Sequence, residues 1–152
     1  MNFKKLKSQS GRSMVEMLGV LAIIGVLSVG GIAGYTLAMR RHRANGVADV
    51  VSKYALVVYG QYQQKVIDGE ISPASDTNSF FDQSSISTFE EAGIGSFPAG
   101  VSNIKFMSVE LTKGVDTVHI ATSFSDKKLC QAVASIAGTG CGSNVIFKIP
   151  QN

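Results

Sequence analysis

The hydrophobic pattern separates one continuous apolar stretch from a longer region in which apolar and polar residues alternate. Residues 17–39 contain no charge and no proline, and Leu, Ile, Val, Met and Ala dominate them. At about 1.5 Å per residue this stretch makes roughly 35 Å of helix, which is enough to cross a bilayer core of about 30 Å. The pattern therefore predicts a membrane-spanning helix near the amino terminus.

The residues that follow keep the helical period but become amphipathic. Apolar side chains recur at spacings of three and four residues, at Val47, Val50, Val51, Tyr54 and Val58. The helix is predicted to end near Asp68-Gly69, because glycine readily takes the left-handed cap conformation. We therefore expect one long helix whose second half packs on a globular head.

The carboxyl-terminal part of the chain predicts a small antiparallel sheet. Apolar and polar residues alternate over residues 117–124, so one face of this strand is expected to be buried and His119 to lie on the polar surface face. Residues 104–111 form the predicted partner strand, with the turn at residues 113–116. The expected fold class is α+β, with the long helix packed on a small antiparallel sheet.

Two further elements complete the predicted head. The spacing of Leu129, Ala132, Val133 and Ile136 predicts a short helix closed by Gly138, and a last strand follows over residues 145–149. Residues 69–100 read as a connector rich in Ser, Asp, Thr and Asn. Within it, the capping-box spacing of Ser87-Thr88-Phe89-Glu90 predicts one short helix that ends at Gly93.

Cys130 and Cys141 are the two cysteines of the chain. In a periplasmic or extracellular domain they are expected to form a disulfide that ties the short helix to the final strand. The alternatives are a metal pair or a redox pair. Neither has support, because the spacing is not C-x-x-C and the two histidines, His42 and His119, are the remaining candidates for metal ligands.

The start of the apolar stretch carries a specific motif. Three lysines, Lys4, Lys5 and Lys7, precede Gly11-Arg12-Ser13-Met14-Val15-Glu16, and the apolar run follows directly. This pattern resembles the signal of type IV prepilins, in which a glycine precedes the cleavage point and a glutamate is the fifth mature residue. A secretory signal peptide is the first alternative, although its apolar core is usually about 7–15 residues long. A permanent single-pass anchor is the second.

The resemblance implies specific roles for three residues. The family's peptidase is expected to cut between Gly11 and Arg12 and to methylate the new amino terminus. Glu16 is expected to meet the amino terminus of a neighbouring subunit, and the pair would set the register of assembly because an unpaired buried charge is costly. Arg12 departs from the family, which usually has an apolar first mature residue. It also offers Glu16 an alternative partner within the chain, one helical turn away.

The resemblance also implies an organisation and a function. We expect a leader over residues 1–11, a transmembrane and assembly segment over 12–39, an amphipathic helix over 40–68 and a pilin head over 69–152. The expected function is that of a type IV pilus subunit, stored in the inner membrane and polymerised into an extracellular filament. The alternatives are a pseudopilin of type II secretion, a minor pilin, or a membrane-anchored binding protein that does not polymerise.

The same resemblance names the partners: further copies of the chain, the prepilin peptidase, an inner-membrane assembly platform and, before assembly, membrane lipid. Charge gives no support for nucleic-acid binding. Without residues 1–11 the chain loses three of its fourteen basic side chains and carries eleven basic and eleven acidic ones. The chain contains neither G-x-S-x-G, nor H-E-x-x-H, nor a phosphate-binding glycine loop. We therefore expect no enzyme, no cofactor and no metal.

Overall fold

The computed structural model describes residues 10–74 and 87–151, with side chains described from residue 14 onward. The fold class is α+β, as the sequence predicts. The described elements, in chain order, are α1 (Ser10–Ile67), β1 (Val101–Thr112), β2 (Val115–Phe124), α2 (Lys127–Ala137) and β3 (Val145–Pro150). The chain divides into two units, the first ending at Met39 and the second beginning at Arg40.

The second half of α1 buries a stripe of apolar side chains, as its period predicts. The fully or almost fully buried members are Ala44, Val47, Val51, Tyr54, Ala55, Val58 and Tyr62. Val50, also predicted on this face, is half-buried at its margin. The stripe follows the helical repeat, because residues three and four apart lie on one side of the helix.

The end of α1 has the glycine cap that the sequence predicts. The last helical residue is Ile67, and Gly69 has a φ of 75°. The backbone N–H of Glu70 donates to the carbonyl oxygen of Lys65 at 3.0 Å, and that of Gly69 donates to Val66 at 3.1 Å. This pair of hydrogen bonds is the Schellman motif, which satisfies carbonyl groups that the helix leaves free.

The three strands form one antiparallel sheet in the order β1-β2-β3, so β2 is central. The β1–β2 hairpin turns through Lys113 and Gly114, whose φ angles are 54° and 81°. Positive φ at both positions suits a two-residue hairpin, because the turn then matches the twist of the strands. Val115 and Asp116, which the sequence assigned to the turn, already pair within β2.

One face of the sheet joins the core of the second unit. Strand residues such as Val109, Val118 and Ile120 are fully buried together with the α1 stripe. Leu129 and Val133 of α2 belong to the same cluster.

The short helix that the sequence predicts before Gly138 is confirmed as α2, and both of its ends are capped. Asp126 accepts a hydrogen bond from the N–H of Lys128 at 2.9 Å, and Gly138 closes the helix with a φ of 68°.

The predicted surface position of His119 is wrong. The residue is 9% exposed, although it lies on the face of β2 opposite to the apolar core. In the register of the sheet it lies between Ser108 of β1 and Lys148 of β3. Alternation along one strand identifies the polar face, but neighbouring strands cover that face at the centre of a sheet.

The predicted short helix near Gly93 is also wrong. Residues 89–93 form a turn, in which the N–H of Ala92 donates to the carbonyl of Thr88 at 3.0 Å and the N–H of Gly93 donates to the carbonyl of Glu90 at 3.3 Å. The capping box exists one residue later than predicted. The N–H of Thr88 donates to Glu91 Oε2 at 2.9 Å, and the N–H of Glu91 donates to Thr88 Oγ1 at 3.3 Å. Residues 75–86 of the predicted connector lie outside the described residues.

Candidate assembly segment

The first part of α1 exposes a continuous apolar surface. Every side chain from Met14 to Ala38 is exposed, and Val26 and Val29 retain 74% and 71% of their surface. Among the described residues, one helix is long and apolar enough to cross a membrane by length and composition. This part of α1 could therefore anchor the protein in a membrane.

Two hydroxyl groups of this segment donate hydrogen bonds within the helix. Ser28 Oγ donates to the carbonyl of Ile24 at 2.7 Å, and Thr36 Oγ1 donates to the carbonyl of Ala33 at 2.9 Å. Helical backbone groups are likewise bonded within the segment, as hydrocarbon surroundings require. Neither hydroxyl therefore opposes insertion into an apolar environment.

Glu16 is the one charged residue between Met14 and Met39. Its side chain is exposed, and no ion pair among the described side chains involves it. The predicted alternative partner, the side chain of Arg12, lies outside the described side chains. The peptide bond between Gly11 and Arg12 lies in the first turn of α1. Within the described part of this segment, Glu16 is thus a single carboxylate on an apolar helix.

The structure pairs Cys130 with Cys141, as the sequence predicts, with 5.7 Å between their Cα atoms. Cys130 is buried in α2, whereas Cys141 is exposed in the segment between α2 and β3. The bridge therefore ties α2 to the loop that leads into β3, rather than to the strand itself. We therefore expect the bridge to stabilise the carboxyl-terminal part of the head.

Tyrosine and glutamine side chains of α1 hold the head in ways that the sequence did not reveal. Tyr59 Oη donates to Asp116 Oδ2 at 3.0 Å and accepts from Gln63 Nε2 at 2.6 Å. Burial, followed by the hydrogen bond to Asp116, raises the pKa of Tyr59 above its usual range. The hydroxyl therefore stays protonated and keeps donating at physiological pH, which links α1 to the start of β2.

A second set of contacts links α1 to the connector. Tyr54 Oη donates to the carbonyl of Ser87 at 3.0 Å, and Gln61 bonds both the N–H and the hydroxyl of Ser87, at 2.9 Å and 2.7 Å. The ring of Tyr54 also packs edge-on against Phe89 at 5.5 Å. Tyr54 and Tyr59 therefore pack within the head and each also makes a directed hydrogen bond.

Catalysis or metal binding in the head would require a cavity or a cluster of suitable side chains. An open cavity of about 270 Å³ lies beside Tyr54, Phe89 and Lys105. Within residues 10–74 and 87–151 no group of three or more His, Cys, Asp or Glu side chains is placed to hold a metal ion. His119 Nε2 lies 3.5 Å from Glu110 Oε2 without a hydrogen bond. The exposed apolar segment with Glu16 is the candidate functional segment among the described residues.

No family model, no curated protein and no solved structure matches this chain. The function is therefore inferred from the residues and the geometry given above.

Proposed function

We propose that this chain is a pilin-like structural subunit, stored in a membrane through the first part of α1 and assembled through the same surface into a filament. One observation carries the proposal: an uncovered apolar helix with a single carboxylate near its start. The motif of Gly11 and Glu16 gives that helix its resemblance to type IV prepilins. The α+β head, with its amphipathic helix packed on a three-stranded antiparallel sheet, is consistent with a pilin-like fold.

The exposed apolar surface requires a cover. Soluble monomers rarely expose contiguous apolar surface of this extent, because each Å² left in water costs about 25 cal/mol. Lipid chains provide this cover before assembly, and the matching surfaces of other copies provide it afterwards. The segment can move between the two because apolar side chains and internally bonded hydroxyls suit either environment.

Glu16 makes the assembled state specific. Apolar helices slide past one another with little change in free energy, so the apolar segment alone defines no register. A carboxylate drawn towards the membrane centre costs up to about 3 kcal/mol, which a cationic partner relieves. We propose that the amino terminus of a neighbouring copy is this partner, once cleavage after Gly11 has freed it at Arg12.

The test is the substitution Glu16→Ala in cells that make the peptidase and the assembly platform. We expect the variant to accumulate in the membrane at the normal level and to form no filaments, because the segment stays apolar while the register pair is lost. Ser28→Ala is the matched control, since it removes an exposed polar side chain from the same segment and should leave filaments intact. Normal filaments from Glu16→Ala would contradict the proposed mechanism.

Cleavage is tested separately by the intact mass of the chain. Co-expression with a prepilin peptidase should remove the mass of residues 1–11, and a methyl group on Arg12 would add about 14 Da to the product. A chain that keeps its full mass under conditions that process another prepilin would support the permanent anchor instead.

Shearing of cells distinguishes the location of the assembled subunit. The pilus proposal expects the chain in the sheared medium, as filaments visible by electron microscopy. Retention of processed, polymerised subunit in the periplasm would support a pseudopilin. A processed chain that never sediments as a polymer would contradict both.

A further inference from the structure

The residues immediately after the apolar segment form a dense cationic cluster. Arg40, Arg41, His42 and Arg43 follow Met39 without a break in α1, and all four side chains are exposed. None of the three arginines takes part in an ion pair among the described residues. Asp49, the next acidic residue along the helix, is bound to Lys53 at 2.7 Å. The arginines therefore present uncompensated positive charge.

Their position along the helix matches one layer of a membrane. If residues 17–39 fill the hydrocarbon core, the next four residues extend about 6 Å further along the helix. The headgroup layer on each side of a bilayer is about 5–7 Å thick, which is half the difference between the full thickness of the bilayer and that of its core. Arg40 to Arg43 thus fall at the level of the lipid phosphates.

The head contains a cavity beside Arg43. Arg43 and His42 line an open space of about 510 Å³ together with Val50 and with residues 96–99, which include Phe97. No acidic side chain is among the described residues that line it. A guanidinium group beside apolar walls suits a phosphodiester that continues into glycerol and acyl chains, because the fork of N–H donors matches phosphate oxygens.

We propose that Arg40, Arg41 and Arg43 form a binding site for the phosphate headgroups of anionic phospholipids in the leaflet next to the head. The proposal rests on the membrane-anchored state of the proposed function and not on polymerisation. Cationic residues on the translocated side of a membrane helix oppose the usual bias towards positive charge in the cytoplasm. Bound anionic headgroups would offset this charge and hold the helix at a defined depth.

Native mass spectrometry of the full chain in neutral detergent tests the proposal. Phosphatidylglycerol should bind more tightly than phosphatidylcholine. The variant R40Q/R41Q/R43Q should lose this preference, by about fivefold for each arginine and roughly a hundredfold in total. The control K105Q/K113Q/K127Q removes the same charge from exposed positions of the head and should keep the preference.

Three results would overturn the proposal. The first is an unchanged preference for phosphatidylglycerol in the arginine variant. The second is displacement of phosphatidylglycerol by inorganic phosphate at the same concentration, which would make this a site for the free anion. The third is loss of duplex DNA binding in the variant while lipid binding is unchanged, which would make the cluster a nucleic-acid surface. Membrane retention of the variant after alkaline extraction, measured in parallel, shows whether the anchor itself is intact.

Discussion

The two parts of α1 share one helical backbone but meet opposite requirements. Before Met39 every described side chain is exposed although almost all are apolar, whereas from Arg40 onward most apolar side chains of α1 lie in a buried stripe, with Leu56 and Ile67 as exposed exceptions. Val29 and Val58 show the contrast most clearly, at 71% and 0% exposure. The second part stabilises the head through packing, whereas the described side chains of the first part form an exposed apolar surface up to Ala38.

The largest expected effect comes from placing the same charge in each part. Val58→Asp puts a carboxylate into the fully buried stripe and should destabilise the head by about 4 kcal/mol or more. Val29→Asp should leave the unfolding of the head unchanged but raise the free energy of membrane insertion by about 3 kcal/mol. Thermal unfolding in detergent and alkaline extraction of membranes measure the two effects. If both substitutions changed both readouts, the contrast between the two parts would be lost.

A smaller effect is expected from the disulfide, which belongs to the head alone. Replacing Cys130 and Cys141 together by Ser should lower the free energy of unfolding by about 3 kcal/mol, because the bridge restricts the unfolded chain. Membrane retention should be unchanged. The experiment compares denaturant unfolding of the variant with that of the oxidised and reduced chain. Equal midpoints for all three would show that the bridge does not stabilise the head.

The smallest expected effect is the pH dependence of stability that His119 contributes to the head. Burial lowers the pKa of this imidazole below its ordinary value of 6.5, and the lowering outweighs the opposite effect of Glu110, while Lys148 adds to it. The folded state therefore favours the neutral ring. The contribution of the neutral His119 ring to the stability of the head is fully present above pH 6.5 and is lost as the pH falls through the pKa of the folded state.

His119→Gln, which cannot be protonated, should flatten this part of the stability profile. Thermal unfolding of both proteins between pH 8 and 5 measures the difference, and the carboxylates common to the two proteins cancel in the comparison. His42→Gln is the control, because this histidine is exposed. Identical pH profiles for His119→Gln and the unchanged protein would show that the outer face of the sheet is more hydrated than its burial implies.

Local signals in the sequence predicted α1, α2 and their carboxyl-terminal ends, but they wrongly predicted a helix near Gly93. The glycine caps at Gly69 and Gly138, the burial of Val47 and Val51 and the pairing of Cys130 with Cys141 all lie where the residues indicated. Each depends on neighbours within a few residues, or on there being only two cysteines. A strong helical period over many residues leaves few alternative structures.

The structure differs from the sequence prediction, or adds to it, where adjacent residues offer alternatives or where distant parts of the chain meet. Capping chemistry at Thr88 was recognised one residue too early, because serine and threonine at adjacent positions can both cap. The hydrogen bond between Tyr59 and Asp116 joins residues 57 positions apart and leaves no trace in local spacing. The cavity beside Arg43 likewise exists because residues 96–99 are brought to α1 by the fold.

By itself the sequence determined that residues 17–39 form an apolar helix with one acid at its start, because transfer of a helix into lipid depends on its own composition. It also determined the α+β class and the disulfide. The tertiary structure alone decided that His119 is buried and that Arg43 borders a cavity. Burial and enclosure are properties of surfaces contributed by several elements, and no single stretch of the chain contains them.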